Sequence, residues 1–120
     1  SAEGEVRRRL GELTRTAPPE ATIAGLMNLG GGVAYRVVSD GLDRIRAELA
    51  SGLHGLLSAE DAGGWRPHVT IQNKVPARAA RALIDALAPD FRPRPLAIAG
   101  LGLHLYLGGP WQRLAGFPFR

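Results

Sequence analysis

Prolines and glycines punctuate this chain so closely that no element can run long. Pro18-Pro19, Gly30-Gly31-Gly32, Pro76, Pro93, Pro95 and Gly108-Gly109-Pro110 cut 120 residues into short stretches. Proline lacks the amide proton that a helix interior or a central strand uses, and glycine supplies turns. The longest apolar run falls far short of the roughly 20 residues that span a bilayer, so no transmembrane helix is expected. The first nine residues are charged where a secretory leader is apolar. At this length the chain is read as a single domain, residues 1–120, with one hydrophobic core.

Between these breaks the hydrophobic period changes. Val6, Leu10 and Leu13 recur at helical spacing over residues 4–15, and Pro18-Pro19 ends that helix. Residues 21–27 and 33–38 read as strands joined by the triple glycine, an antiparallel hairpin. A phosphate-cradling loop would place a helix directly after those glycines, and here a strand follows. Ser39 or Asp40 caps a second helix with the stripe Leu42, Ile45, Leu49, Leu53 and Leu56. Asp40–Arg44 and Arg44–Glu48 are expected to pair on its surface. Residues 58–66 form a loop, 68–74 a strand, and a third helix begins with Pro76 in its first turn. Strands follow at 96–99, 101–107 and 111–117. The fold class is therefore α+β, with mainly antiparallel sheets and helices on the outer faces.

Chemistry concentrates around His68. In a strand, alternate residues share a face, so His68, Thr70 and Gln72 stand together while Val69 and Ile71 turn toward the helices. An imidazole exchanges protons near neutral pH, and a hydroxyl two positions on donates to an oxyanion. That is half a site for phosphate ester chemistry. Arg36 can neutralise phosphate. Tyr35, its neighbour, points to the other face of the strand, so at most one of the two meets the substrate. Trp65 either stacks on a base or packs beneath its loop. His104 and Tyr106 share a face of a later strand, and His54 lies near a helix C-terminus.

Several classes are excluded. Without cysteine there is no disulfide scaffold, thiol nucleophile or Cys-based metal site. Three scattered histidines give no metal-ligand spacing, and no Gly-x-Ser-x-Gly elbow occurs. No cofactor is implied. Fourteen arginines and one lysine set against eleven acidic residues leave a net charge of +4. Guanidinium groups suit phosphate oxygens, although a solvated surface uses arginine equally well.

The run Trp65-Arg66-Pro67-His68-Val69-Thr70-Ile71-Gln72-Asn73-Lys74-Val75 resembles the second signature of the 2H phosphoesterase superfamily, which includes bacterial 2′-5′ RNA ligase-like proteins. Tyr106-Leu107-Gly108-Gly109-Pro110-Trp111 and Gly31-Gly32-Val33-Ala34-Tyr35-Arg36 are similar to segments of the same group. The resemblance implies a two-lobed, pseudo-symmetric fold with two His-x-Thr/Ser motifs facing a cleft. It implies metal-independent opening of 2′,3′-cyclic phosphates, or cutting and joining of 2′-5′ linkages; the cysteine-free composition fits a cytoplasmic protein. His68 and Thr70 would be catalytic, and Gln72, Arg36, Tyr35 and Tyr106 would contact an RNA or nucleotide substrate. Only one His-x-Thr is present, so the resemblance also implies an incomplete N-terminal lobe and little activity from this chain alone. The competing reading is a non-catalytic RNA- or nucleotide-binding module.

Overall fold

The computed structural model describes residues 2–52, 65–105 and 112–120. Three α-helices are present among them: α1 (Ala2–Leu13), α2 (Asp40–Gly52) and α3 (Ala77–Leu87), the last continued by a 3-10 turn, Ala88–Asp90. The strands are β1 (Ala21–Asn28), β2 (Val33–Val38), β3 (His68–Gln72), β4 (Arg94–Leu96), β5 (Gly100–Leu105) and β6 (Gln112–Pro118). Every pairing among them is antiparallel, which makes the chain α+β. The chain divides into two compact units, one of residues 20–39 and 65–96, the other of residues 1–19, 40–64 and 97–120.

The first unit holds a four-stranded sheet in the order β3-β2-β1-β4, with α3 packed against β1 and β2. Its hairpin turns where the glycines stand. Gly30 adopts φ 88°, Asn28 Oδ1 accepts the Gly30 amide at 2.8 Å, and the Leu29 amide donates to the Gly32 carbonyl at 2.9 Å. Gly32 serves a second purpose: a Cβ there would overlap the carbonyl of Gln72 on β3. Ser39 Oγ donates to the Glu20 carbonyl at 2.6 Å and ties the far ends of the hairpin together. Seven buried apolar residues build the interior of this unit: Ala21, Ile23, Met27, Val33, Ala34, Val37 and Ala80. Each of the larger ones contributes roughly 1.5–3 kcal/mol by leaving water.

Pro95 sits within β4, whose Arg94–Leu96 stretch pairs with Ile23–Ala21 at the sheet edge. An edge position tolerates a residue that cannot donate to both neighbours. The strand expected at 96–99 therefore begins two residues early and ends at Leu96. Pro76 is the N-cap of α3, with φ −61° and ψ 150°, one position before the first turn in which it was expected. β3 stops at Gln72, two residues short of the expected end, and Lys74 follows with φ 57°.

The second unit pairs β5 with β6 and packs α1 against α2 and β6. Leu10 and Thr14 are buried, and Thr14 Oγ1 donates to the Leu10 carbonyl at 2.8 Å. Arg7, Arg8 and Arg9 are held by glutamates on the same helix: Glu3–Arg7 at 3.1 Å, Glu5–Arg9 at 2.9 Å, and Arg8 between Glu5 and Glu12 at 2.6 and 2.7 Å. Arg8 and Arg9 together hold the Glu5 carboxyl below the usual glutamate range. On α2, the Asp40–Arg44 and Arg44–Glu48 pairs expected from their spacing are not formed among the described residues. Leu53 and Leu56 of the expected stripe lie outside the described residues, as does His54.

Candidate phosphate site

β3 is an edge strand, and its register on β2 decides which side chains meet. Arg36 pairs with His68, Tyr35 with Val69, and Ala34 with Thr70. Directly opposed residues of an antiparallel pair project to the same face. One face therefore carries His68 beside Arg36, and Thr70 beside Ala34. On β1 these rows continue to Gly25 and Met27. The His68 row reads imidazole, guanidinium, glycine. The Thr70 row reads hydroxyl, methyl, thioether.

The His68 ring is held by its own strand entry. Nδ1 lies 2.6 Å from the carbonyl oxygen of Arg66. A carbonyl only accepts, so the Nδ1 proton donates to it and the neutral ring keeps its lone pair on Nε2. Nε2 has no partner among the described residues, and neither has the Thr70 hydroxyl. Both residues are exposed. Their Cα atoms stand about 6.6 Å apart along a strand, a span that one tetrahedral phosphate and two hydrogen bonds can fill.

Arg36 lies across the sheet rather than along β3. Its Nη2 reaches toward the Ala24 carbonyl at 3.5 Å, a long contact, and a Cβ on Gly25 would come within 3.3 Å of the same nitrogen. A register shift between Ile23 and Gly25 turns the Ala24 carbonyl toward it. The guanidinium is thus exposed, weakly held and in the row of His68.

Tyr35 and Gln72 do not join this face. The Tyr35 ring is on the opposite face, 6.2 Å from the Phe91 ring, with Arg94 4.8 Å from its centroid. It joins no residue of the His68 face. Gln72 also leaves the row. A second register shift, between Val33 and Ala34, sets Ile71 and Gln72 together opposite Val33, which faces away from Ala34. A bulge of this kind breaks the two-residue alternation from which Gln72 was expected beside Thr70. Its Oε1 is buried and has no hydrogen-bond partner among the described residues. Tyr106 lies outside the described residues. His104 is in β5, in register with Arg113 in the other unit. Val69 does share the Tyr35 face, yet Val69 and Ile71 remain 41% and 38% exposed, because an edge strand has a neighbour on one side only.

Sequence reasoning missed a cavity of about 350 Å³ whose lining includes Met27, Asn28, Arg36, Trp65, Arg66 and Pro67. The Val37 amide donates to the Pro67 carbonyl at 3.0 Å, so residues 65–67 run on beside β2 and wall this space. The pairing of the segment before His68 with β2 carries no local sequence signature. Among the described residues no group of three or more His, Cys, Asp or Glu side chains gathers as a metal site would require, and no helix is long and apolar enough to cross a membrane.

An outward imidazole and hydroxyl on alternate positions of one strand is the arrangement that the resemblance to the α+β phosphoesterases of the 2H type implies. The sequence model of the 2′-5′ RNA ligase superfamily matches residues 2–110, and the chain belongs to that superfamily. No curated protein and no solved structure matches it.

Proposed function

We propose that this chain contributes one catalytic half-site to the cleavage of a 2′,3′-cyclic or 2′-5′ phosphodiester in RNA or a nucleotide, without a metal ion. The observation that supports this most directly is the fixed tautomer of His68. With Nδ1 committed to the Arg66 carbonyl at 2.6 Å, Nε2 is the one ring atom that can take or give a proton at the substrate. As a base it removes a proton from an attacking water or hydroxyl. The imidazolium that results keeps its Nδ1 bond, now charge-assisted and stronger. Run in reverse, the same nitrogen protonates a departing oxygen.

The Thr70 hydroxyl donates to a non-bridging phosphate oxygen as negative charge grows there. Arg36 supplies a cation in the same row, and its loose hold on Ala24 leaves it able to turn toward the anion. A complete in-line displacement uses two proton carriers, one on each side of phosphorus. The sequence contains one His-x-Thr, so these 120 residues alone turn over slowly.

Free imidazole tests the assignment. With a chelator present, residues 1–120 should convert a nucleoside 2′,3′-cyclic phosphate faster when imidazole is added than the buffer background explains. His68→Ala should remove that gain while nucleotide binding persists. A pure binding module would instead show steep salt dependence, no stimulated turnover, and indifference to His68→Ala. That outcome would falsify the catalytic reading.

A further inference from the structure

The cavity beside His68 has a chemistry of its own. Trp65 is 45% exposed at its wall, an unusual position for so large an apolar side chain. Met27 is buried, and Pro67 adds a second apolar surface. The polar side chains are all donors. Arg36 and Arg66 carry guanidinium groups, and neither is paired with a carboxylate among the described residues. Asn28 has its amide oxygen occupied by the Gly30 N–H at 2.8 Å, which leaves its NH₂ group to offer. Among the described residues no carboxylate lines the space. A volume of about 350 Å³ lies within the range of small-ligand sites.

From this we infer that the cavity is a nucleobase subsite in which Trp65 is the stacking platform and the base is guanine. The inference rests on the catalytic half-site proposed above, because the Arg66 carbonyl that orients His68 belongs to the same short segment as Trp65. An aromatic wall takes the flat face of any base. A rim of donors selects the edge. Guanine presents two adjacent acceptors, O6 and N7, which a guanidinium engages in pairs. Adenine presents an amino group beside N7, and cytosine presents one at N4. Each would set a donor against a donor and leave a polar group unpaired.

Products that cannot react separate this inference from the catalytic one. Binding of 3′-GMP, 3′-AMP, 3′-CMP, 3′-UMP, ribose 5-phosphate and inorganic phosphate to residues 1–120 would be measured by calorimetry and by tryptophan fluorescence. Expected are a Kd for 3′-GMP at least about tenfold below that of ribose 5-phosphate, and about fivefold below that of 3′-AMP. Binding of 3′-GMP should quench fluorescence in the wild type and fail to do so in Trp65→Phe, which keeps an aromatic wall and most of the affinity. Trp65→Ala should raise the Kd for 3′-GMP about tenfold and leave ribose 5-phosphate unchanged, and Arg66→Met should narrow the gap between 3′-GMP and 3′-AMP. Equal affinity for all nucleotides and for the base-free phosphates overturns the subsite, and so does unaltered quenching in Trp65→Phe. If Trp65→Ala does not fold, the wild-type series and Trp65→Phe decide. Guanine-selective binding without any imidazole-stimulated turnover would retain the subsite and sink the catalytic reading. Turnover without base selectivity would do the reverse.

Discussion

The two units use arginine in opposite ways. The unit of residues 20–39 and 65–96 has seven basic residues against three acidic ones, and the other unit has eight of each. The whole net charge of +4 therefore resides in the unit that carries His68 and Thr70. In α1 the spacing of three or four residues brings Arg7, Arg8 and Arg9 onto Glu3, Glu5 and Glu12, and those cations are neutralised where they stand. Arg36 has a carbonyl at 3.5 Å for company. An arginine count says little about anion binding until one knows which guanidinium groups already hold a carboxylate. Among the described residues, seven of the eight buried apolar side chains belong to the unit that carries His68.

The comparison breaks most decisively at the histidines. His68→Ala should lower imidazole-stimulated turnover by about 10²–10⁴-fold while nucleotide affinity stays near its original value, as single-turnover assays would show. His104→Ala should leave the stimulated rate within about twofold. A loss of equal size at His104 would mean that the balanced unit supplies chemistry too.

Glycines give the next contrast. Gly32→Ala should cost about 1–3 kcal/mol in urea unfolding, because the new methyl overlaps the Gln72 carbonyl and pushes β3 off β2. Gly11→Ala, on α1 with nothing within 4 Å of the added carbon, should stabilise by about 0.5–1 kcal/mol. If both substitutions proved neutral, the close approach of β3 to Gly32 would be wrong.

Arg36→Ala should weaken nucleotide binding several-fold and reduce the slope of log affinity against log salt by about one. Arg8→Ala should alter neither quantity. Equal effects from the two would erase the distinction between free and neutralised guanidinium groups.

The smallest effect concerns Glu5. Its carboxyl titrates lower in the folded chain than in the unfolded one, so its contribution is present above the unfolded value and fades as pH falls through the folded value. Relative to the intrinsic rate at each pH, amide exchange in α1 should therefore quicken slightly in acid, while β1–β3 protection stays level. Glu5→Gln should abolish that acid-dependent quickening.

Much of the fold was legible because it is local. The triple glycine between two β-rich runs predicted the hairpin, and β2 has the expected bounds of Val33–Val38. Pro76 marked the start of α3 to within one residue. The association of His68 with Thr70 needs only the two-residue period of a strand. Gln72 shows where that reasoning stops: one extra residue opposite Val33 reverses the phase, and nothing in Thr70-Ile71-Gln72 announces it. The choice between Tyr35 and Arg36 was likewise open from alternation alone. Register across β2 and β3 sets Arg36, and not Tyr35, against His68.

What the amino-acid order determined by itself was most of the described elements, the placing of His68 and Thr70 on one strand, and the family, since propensity, period and motif are properties of neighbours along the chain. Only the tertiary structure decided which imidazole nitrogen is open, which arginine is unneutralised, and that Trp65 walls a cavity beside His68. Those facts depend on which backbone carbonyls and side chains are brought together across the sheet, and hydrogen bonds between partners distant in sequence have no linear code.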